Sequence, residues 1–220
     1  MNEENKKKKW LVAVVIIAKT VIIAAAVLLV AFLCAFFIPH TVKQSNKIGD
    51  YDKYLEKVCY AAEFMPSLDE IGDYENVNFG YKEYSHGWMF CSEGLSLFAE
   101  YSDEDYNAEK EKTVYKYEYL TEPYKPTENS DYIFPVAELE YKGYEFRIVP
   151  KKEYLYGSDT EYRYSCKSFM LVGNNDAERK IVYLYFYDSD LDLLAQADAT
   201  EEECRQSMIE LIKDSFCWFD

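Results

Sequence analysis

Asp188-Ser189-Asp190-Leu191-Asp192 sets three carboxylates at alternate positions, the opening spacing of a loop that wraps a hard cation in oxygen ligands. The pattern then departs from a calcium loop. Leu193 stands at the sixth position, where the sharp turn wants glycine, and Ala199 at the twelfth, where a bidentate glutamate belongs. Asp188, Asp190 and Asp192 are thus a calcium candidate in outline, and a solvated turn after a strand explains them more simply. A second candidate is Tyr154-Leu155-Tyr156-Gly157-Ser158-Asp159-Thr160-Glu161-Tyr162-Arg163-Tyr164. Pro150 to Tyr164 has no hydrophobic period and reads as a long loop, and such loops inside compact domains tend to be functional or disordered. Tyrosine, serine, glycine and aspartate are the residues of an adaptable contact surface. Tyr154, Tyr156, Tyr162, Arg163 and Tyr164 are therefore the candidate binding residues, against an ordinary exposed loop or a strand pair.

Catalytic patterns are harder to find. His86, beside Gly87, is the one histidine of the main domain and reads as a turn residue; His40 follows the apolar segment directly. No nucleophile elbow, S-x-x-K, H-E-x-x-H, P-loop or G-x-G-x-x-G pattern accompanies them. Cys59, Cys91, Cys166, Cys204 and Cys217 are odd in number and widely spaced, without a zinc-ligand pattern. These observations point away from an enzyme and imply no cofactor.

The elements that must position these residues begin with Lys6-Lys7-Lys8-Lys9-Trp10 and the apolar run to Ile38, whose one charge is Lys19. A membrane span needs about 20 apolar residues. The run is longer, so one end must leave the hydrocarbon, and Lys19 suggests the amino-terminal end. Thr20 to Ile38 then fill the core, Lys19 snorkels to the cytoplasmic headgroups, and Trp10 lies towards the interface. The sharper reading pairs Lys19 with an acidic residue of a partner's helix. The run is too long for a cleaved signal peptide, Cys34 follows Phe32-Leu33 rather than a small residue as a lipoprotein would require, and no pilin-type cut site is present. The lysine bias predicts the amino terminus inside and the bulk of the chain outside.

Residues 1–9 are thus a basic tail, 10–38 a membrane anchor, 39–49 a polar stalk and 50–220 an acidic domain. From residue 45 onward there are 18 Lys and Arg (24 less six) against 38 Asp and Glu (40 less Glu3 and Glu4), a net charge of −20. Such a body repels nucleic acid and anionic headgroups and suits a basic partner or water. All 22 tyrosines lie in it, mostly as strand formers.

Helical spacing covers Asp50 to Met65, stopped by Pro66, and strands are expected at Val77–Tyr84, Trp88–Cys91 and Leu95–Tyr101. Ser102 opens a helix running to about Tyr119. In a hairpin through Lys142-Gly143, Tyr141 faces Tyr144, Leu139 faces Phe146 and Glu138 faces Arg147. Lys167–Val172 and Lys180–Tyr187 are further strands, the second apolar on both faces and hence central. Thr200-Glu201-Glu202-Glu203 is a capping box for a last helix. The whole predicts an α+β fold: a membrane helix, then a mainly antiparallel sheet of about seven strands packed by about three helices.

The function that fits is a single-pass, membrane-anchored binding or assembly module on a bacterial cell surface, with a basic protein or another membrane protein as partner and no nucleic acid. One alternative is an immunity or inhibitor protein neutralising a basic partner by charge complementarity. Another is a carboxylate-dependent cell-wall hydrolase, which requires a cleft with two facing acids of raised pKa.

Overall fold

The computed structural model describes residues 3–37, 39–86, 90–128, 132–189 and 199–219. The chain divides into two compact units, Met1–His40 with His86–Met89, and Thr41–Ser85 with Phe90–Asp220.

The first unit contains helix α1, Glu3–Phe37, unbroken through Lys19. A run of β-branched residues is a weak helix former in water, but in hydrocarbon every backbone amide must be satisfied within its own segment, which an apolar stretch of this length does only as a helix. Thr20 turns its hydroxyl back to the Ile16 carbonyl at 2.9 Å, which pairs it within the helix. Lys9–Cys34, 26 residues with a mean hydropathy of 2.8, is long and apolar enough to cross a membrane.

The second unit is built on one seven-stranded antiparallel sheet in the order β1-β2-β3-β7-β6-β5-β4. The strands are β1 (Pro39–Ser45), β2 (Asn76–His86), β3 (Phe90–Glu100), β4 (Glu138–Tyr141), β5 (Tyr144–Tyr154), β6 (Tyr162–Asn175) and β7 (Lys180–Asp188). Three helices accompany them: α2 (Tyr51–Lys57), α3 (Asp103–Lys116) and α4 (Glu201–Ser215). β7 is central, as its two apolar faces require: Ile181, Tyr183 and Tyr185 point to one side of the sheet and Val182, Leu184 and Phe186 to the other.

Each face carries a core. On one, Phe79, Tyr81, Leu95, Leu97 and Met170 meet Tyr51, Val58 and Tyr106 from the α2 and α3 segments. On the other, Phe98, Phe146, Ile148 and Leu171 meet Cys204, Met208 and Ile212 of α4, with Ile133, Phe134 and Val136 from the segment before β4. The caps of α3 and α4 form as expected: Ser102 accepts from the Asp105 amide, and Thr200 and Glu203 make the reciprocal box. The β4–β5 register is the expected one, Glu138↔Arg147, Leu139↔Phe146 and Tyr141↔Tyr144. Its two-residue turn holds Lys142 at φ 51 and Gly143 at φ 78, the left-handed pair that a tight hairpin demands.

Several expectations are corrected. The segment read as a stalk from 39 to 49 supplies β1, the edge strand beside β2, followed by a 3-10 turn at Ile48–Asp50. The helix expected from Asp50 to Met65 stops at Lys57, and Tyr60 takes φ 62 before a 3-10 turn at Ala61–Glu63. Tyrosine hydroxyls support the break, since Tyr185 donates to the Cys59 carbonyl at 2.6 Å and Tyr51 to that of Pro66 at 2.5 Å. The expected apolar positions are met in part: Tyr51, Val58 and Met65 are buried, Tyr54 and Leu55 half-buried, and Ala62 is exposed while Ala61 takes the buried place.

Of the strands expected at Trp88–Cys91 and Leu95–Tyr101, Trp88 and Met89 lie outside the described residues, while Phe90–Cys91 and Leu95–Glu100 belong to one strand, β3. Its Gly94, which looks like a break, is a contact requirement: a Cβ there would overlap the carbonyl of Ser215 at the end of α4. Gly80 in β2 likewise leaves room for Cys217, whose carbonyl accepts from Ser96 at 3.2 Å. Trp218 and Phe219 then pack edge-on to Phe98, each 5.4 Å between centroids. α3 ends at Lys116 rather than Tyr119, and the segment Pro150 to Tyr164, read as a loop, is a hairpin.

Candidate functional site

Past Pro150, β5 and β6 leave the sheet as a two-stranded arm. The register runs Pro150↔Phe169, then jumps to Lys152↔Tyr164, so Ser165–Ser168 bulge against Lys151. β7 pairs with β6 only from Ser168 onward, so among the described residues Tyr162–Tyr164 of β6 have β5 as their one ladder partner. A lone hairpin is marginal in water and needs side-chain contacts to persist.

The arm has them. Lys152↔Tyr164 and Tyr154↔Tyr162 are opposed pairs on one face. Tyr154 and Tyr162 meet at 6.1 Å and 68°, Tyr162 and Tyr164 at 5.6 Å and 54°, and Tyr164 meets Tyr124 of the neighbouring loop at 4.7 Å and 74°. Edge-on contacts of this kind contribute about 0.5–1.5 kcal/mol each. The Lys152 ammonium lies 4.4 Å from the centre of the Tyr162 ring and donates to Glu118 at 2.6 Å. Burial, followed by its hydrogen bond with Tyr162, pushes the Tyr164 phenol up to about 12.

At the tip, Ser158 Oγ accepts from the Thr160 and Glu161 amides at 3.2 and 2.8 Å, and Leu155 N donates to the Glu161 carbonyl at 2.9 Å. Gly157, at φ 79, makes the turn. Tyr154, Tyr156 and Tyr162 are 60, 108 and 41 % exposed and Leu155 44 %. All five candidate binding residues thus lie on this hairpin, Tyr154, Tyr162 and Tyr164 as a ladder on one face and Tyr156 at its end. Arg163 does not join the ladder; it lies on the opposite face, 3.3 Å from Glu153.

A second cluster escaped the sequence reading. Glu83 of β2 and Glu93 of β3 are 7 and 8 % exposed on the α2 side of the sheet. Tyr81 Oη lies between them, 2.7 Å from Glu83 and 2.8 Å from Glu93, sharing its proton, and accepts from Lys57 at 2.7 Å. Lys57 also donates to Glu83 at 2.9 Å, as Lys43 of β1 does at 2.8 Å. Desolvation pushes the Glu83 carboxyl up, but the donors from Lys43, Lys57 and Tyr81 outweigh it and hold it down at about 2. A carboxyl so placed is a fixed anion, the opposite of a general acid. Burial, with Glu93 and Glu83 nearby, pushes the Cys91 thiol up to about 11, so at neutral pH it is neither nucleophile nor thiolate ligand. This second cluster has no local sequence signal that announces it; Lys43 and Glu83 are 40 positions apart.

Of the calcium candidates, Asp188 ends β7 and accepts from Ser92 at 2.9 Å, while Asp190 and Asp192 lie outside the described residues. Among the described residues, no group of three or more His, Cys, Asp or Glu could hold a metal ion. His86 ends β2 rather than lying in the turn. Trp10 and Lys19 both belong to α1, with exposed side chains. A hollow of about 650 Å³ is edged by Glu138, Glu140, Glu145 and Glu202. Arg147 and Arg205 lie among them: Arg147 Nε is 3.3 Å from Glu138, at ion-pair distance without hydrogen-bond alignment, and Arg205 is 2.8 Å from Glu201.

No protein-family model matches the chain, and no curated protein or solved structure is significantly similar to it.

Proposed function

We propose that the protein is a single-pass, membrane-anchored recognition module that presents its acidic domain outside the cytoplasm and grips a protein partner with the β5–β6 arm. One observation carries the reading: an ordered hairpin extends beyond the sheet with Tyr154, Leu155, Tyr156 and Tyr162 exposed together. Large, stiff aromatic side chains offer contact area at low entropic cost, and the arm's cross-strand contacts pre-order them. The arm carries Lys151, Lys152 and Arg163 against Glu153, Asp159 and Glu161, so it is neutral while the body is strongly acidic. The body's field steers an electropositive partner and the arm makes the contact. That division of labour favours an immunity or inhibitor role as the second reading, in which the partner is a basic toxin or enzyme.

The test is site-specific photocrosslinking in intact cells. A photoreactive side chain at Tyr156 is expected to give a discrete protein adduct that weakens in a Tyr154→Ala, Tyr162→Ala background. The same group at Tyr115 of α3, 81 % exposed, is expected to give none. Equal labelling at both positions, or none at either, speaks against the arm. Protease access to the domain on intact cells checks its side of the membrane.

A further inference from the structure

We propose that Lys19 is a docking point for a membrane helix of another protein, one carrying an Asp or Glu near the middle of its span. The proposal rests on reading α1 as a membrane span and is independent of the arm. α1 is continuous from Glu3 to Phe37, and Lys19 is the one charge between Lys9 and Cys34. Ten residues of helix put Lys19 about 15 Å along the axis from Lys9. Fitting the 26 residues of Lys9–Cys34, about 39 Å, into about 30 Å of hydrocarbon needs a tilt of about 40°, which leaves Lys19 about 11 Å deep. A four-carbon stem recovers about 6 Å, so the ammonium stops short of the headgroups.

Raising it further would require drawing Trp10–Ala18 into water. That stretch holds seven large apolar side chains: Trp10, Leu11, Val12, Val14, Val15, Ile16 and Ile17. Withdrawing them, less what Phe36, Phe37 and Ile38 regain by entering in the snorkelled placement expected from the sequence, still costs more than one lysine does inside the membrane. The lysine therefore stays, and a charge in lipid is stabilised by a partner of opposite sign. A second, parallel copy of the chain cannot supply it, since it presents another Lys19 at the same depth and repels. The flanking turns, Val15, Ile16, Ile22 and Ile23, add only apolar surface that lipid solvates equally well. The charge is what selects the partner.

The experiment uses the full chain in phosphatidylcholine bilayers with a synthetic polyleucine helix bearing one Glu at its midpoint. Either orientation of that probe brings its carboxylate within about one helical turn of Lys19 in depth. Energy transfer between labelled chain and probe is expected to show about tenfold stronger association than with an all-leucine probe. The preference should vanish in Lys19→Leu, which makes the helix more apolar and leaves insertion intact, and survive in Lys19→Arg. Retention of the chain after alkaline carbonate extraction with no preference for the Glu probe overturns the pairing alone. Release of the chain by carbonate overturns the span and the pairing together.

Discussion

Tyrosine does opposite work in the body of the domain and in its arm. In the body, Tyr51, Tyr81, Tyr101, Tyr183 and Tyr185 are among the largest fully buried side chains, and each hydroxyl reaches an acceptor: the Pro66, Ile71 and Cys59 carbonyls for Tyr51, Tyr101 and Tyr185, Glu109 for Tyr183, and Glu83 and Glu93 for Tyr81. Burial drives all five phenols well above their ordinary pKa. In the arm the rings meet one another edge-on or tilted, and Tyr154 and Tyr162 keep much of their surface in water. A count of tyrosines cannot separate the two uses. What separates them is where the hydroxyl ends: a buried one is committed to the fold, an exposed one is available to a partner.

The sharpest way to break this contrast is Tyr81→Phe. It keeps the ring, which stacks on Tyr54 at 4.0 Å, and removes the group between two buried carboxylates. The expected loss is about 2 kcal/mol, read as a lower denaturant midpoint with unchanged slope. A change as small as that of an arm variant would erase the distinction. Acid provides the next test. Because the Glu83 carboxyl is depressed to about 2 in the fold, its contribution is fully present above the unfolded value near 4.3 and is lost as pH falls towards 2. Denaturant titrations at pH 7 and pH 3 should show a drop that Glu83→Gln reduces.

Arm variants should act locally. Tyr162→Ala is expected to cost about 1 kcal/mol, seen as faster hydrogen exchange over residues 152–164 while the β6–β7 ladder from Ser168 to Asn175 stays protected. Smallest of all, Tyr156→Ala should shift stability by less than about 0.5 kcal/mol yet reduce partner adducts at the arm. A large stability loss there would mean that Tyr156 holds the fold.

The β4–β5 hairpin, the two-faced β7 and the α4 capping box were legible because each rests on neighbours within a few positions: a left-handed turn pair, an unbroken alternation, a box four residues long. The arm was not. Its ladder alternates at Lys152, Tyr154, Tyr162 and Tyr164, but the Ser165–Ser168 bulge breaks the phase relative to Phe169 and hides the strand. β1 was unreadable for another reason. Edge strands are short and polar, and Thr41 to Ser45 reads as a linker until β2 is placed beside it. The Tyr81 network joins β1, α2, β2 and β3, and no local pattern encodes a meeting of four elements.

The close packing of Ser215 and Cys217 over Gly94 and Gly80 has a consequence in time. Ser96 and the Cys217 carbonyl that closes over it are 121 positions apart. During synthesis, one side of β2 and β3 therefore waits uncovered until the last residues of α4 and Phe216 to Phe219 have emerged. A pause or nick shortly before residue 214 leaves a greasy half-sheet rather than a slightly shortened domain.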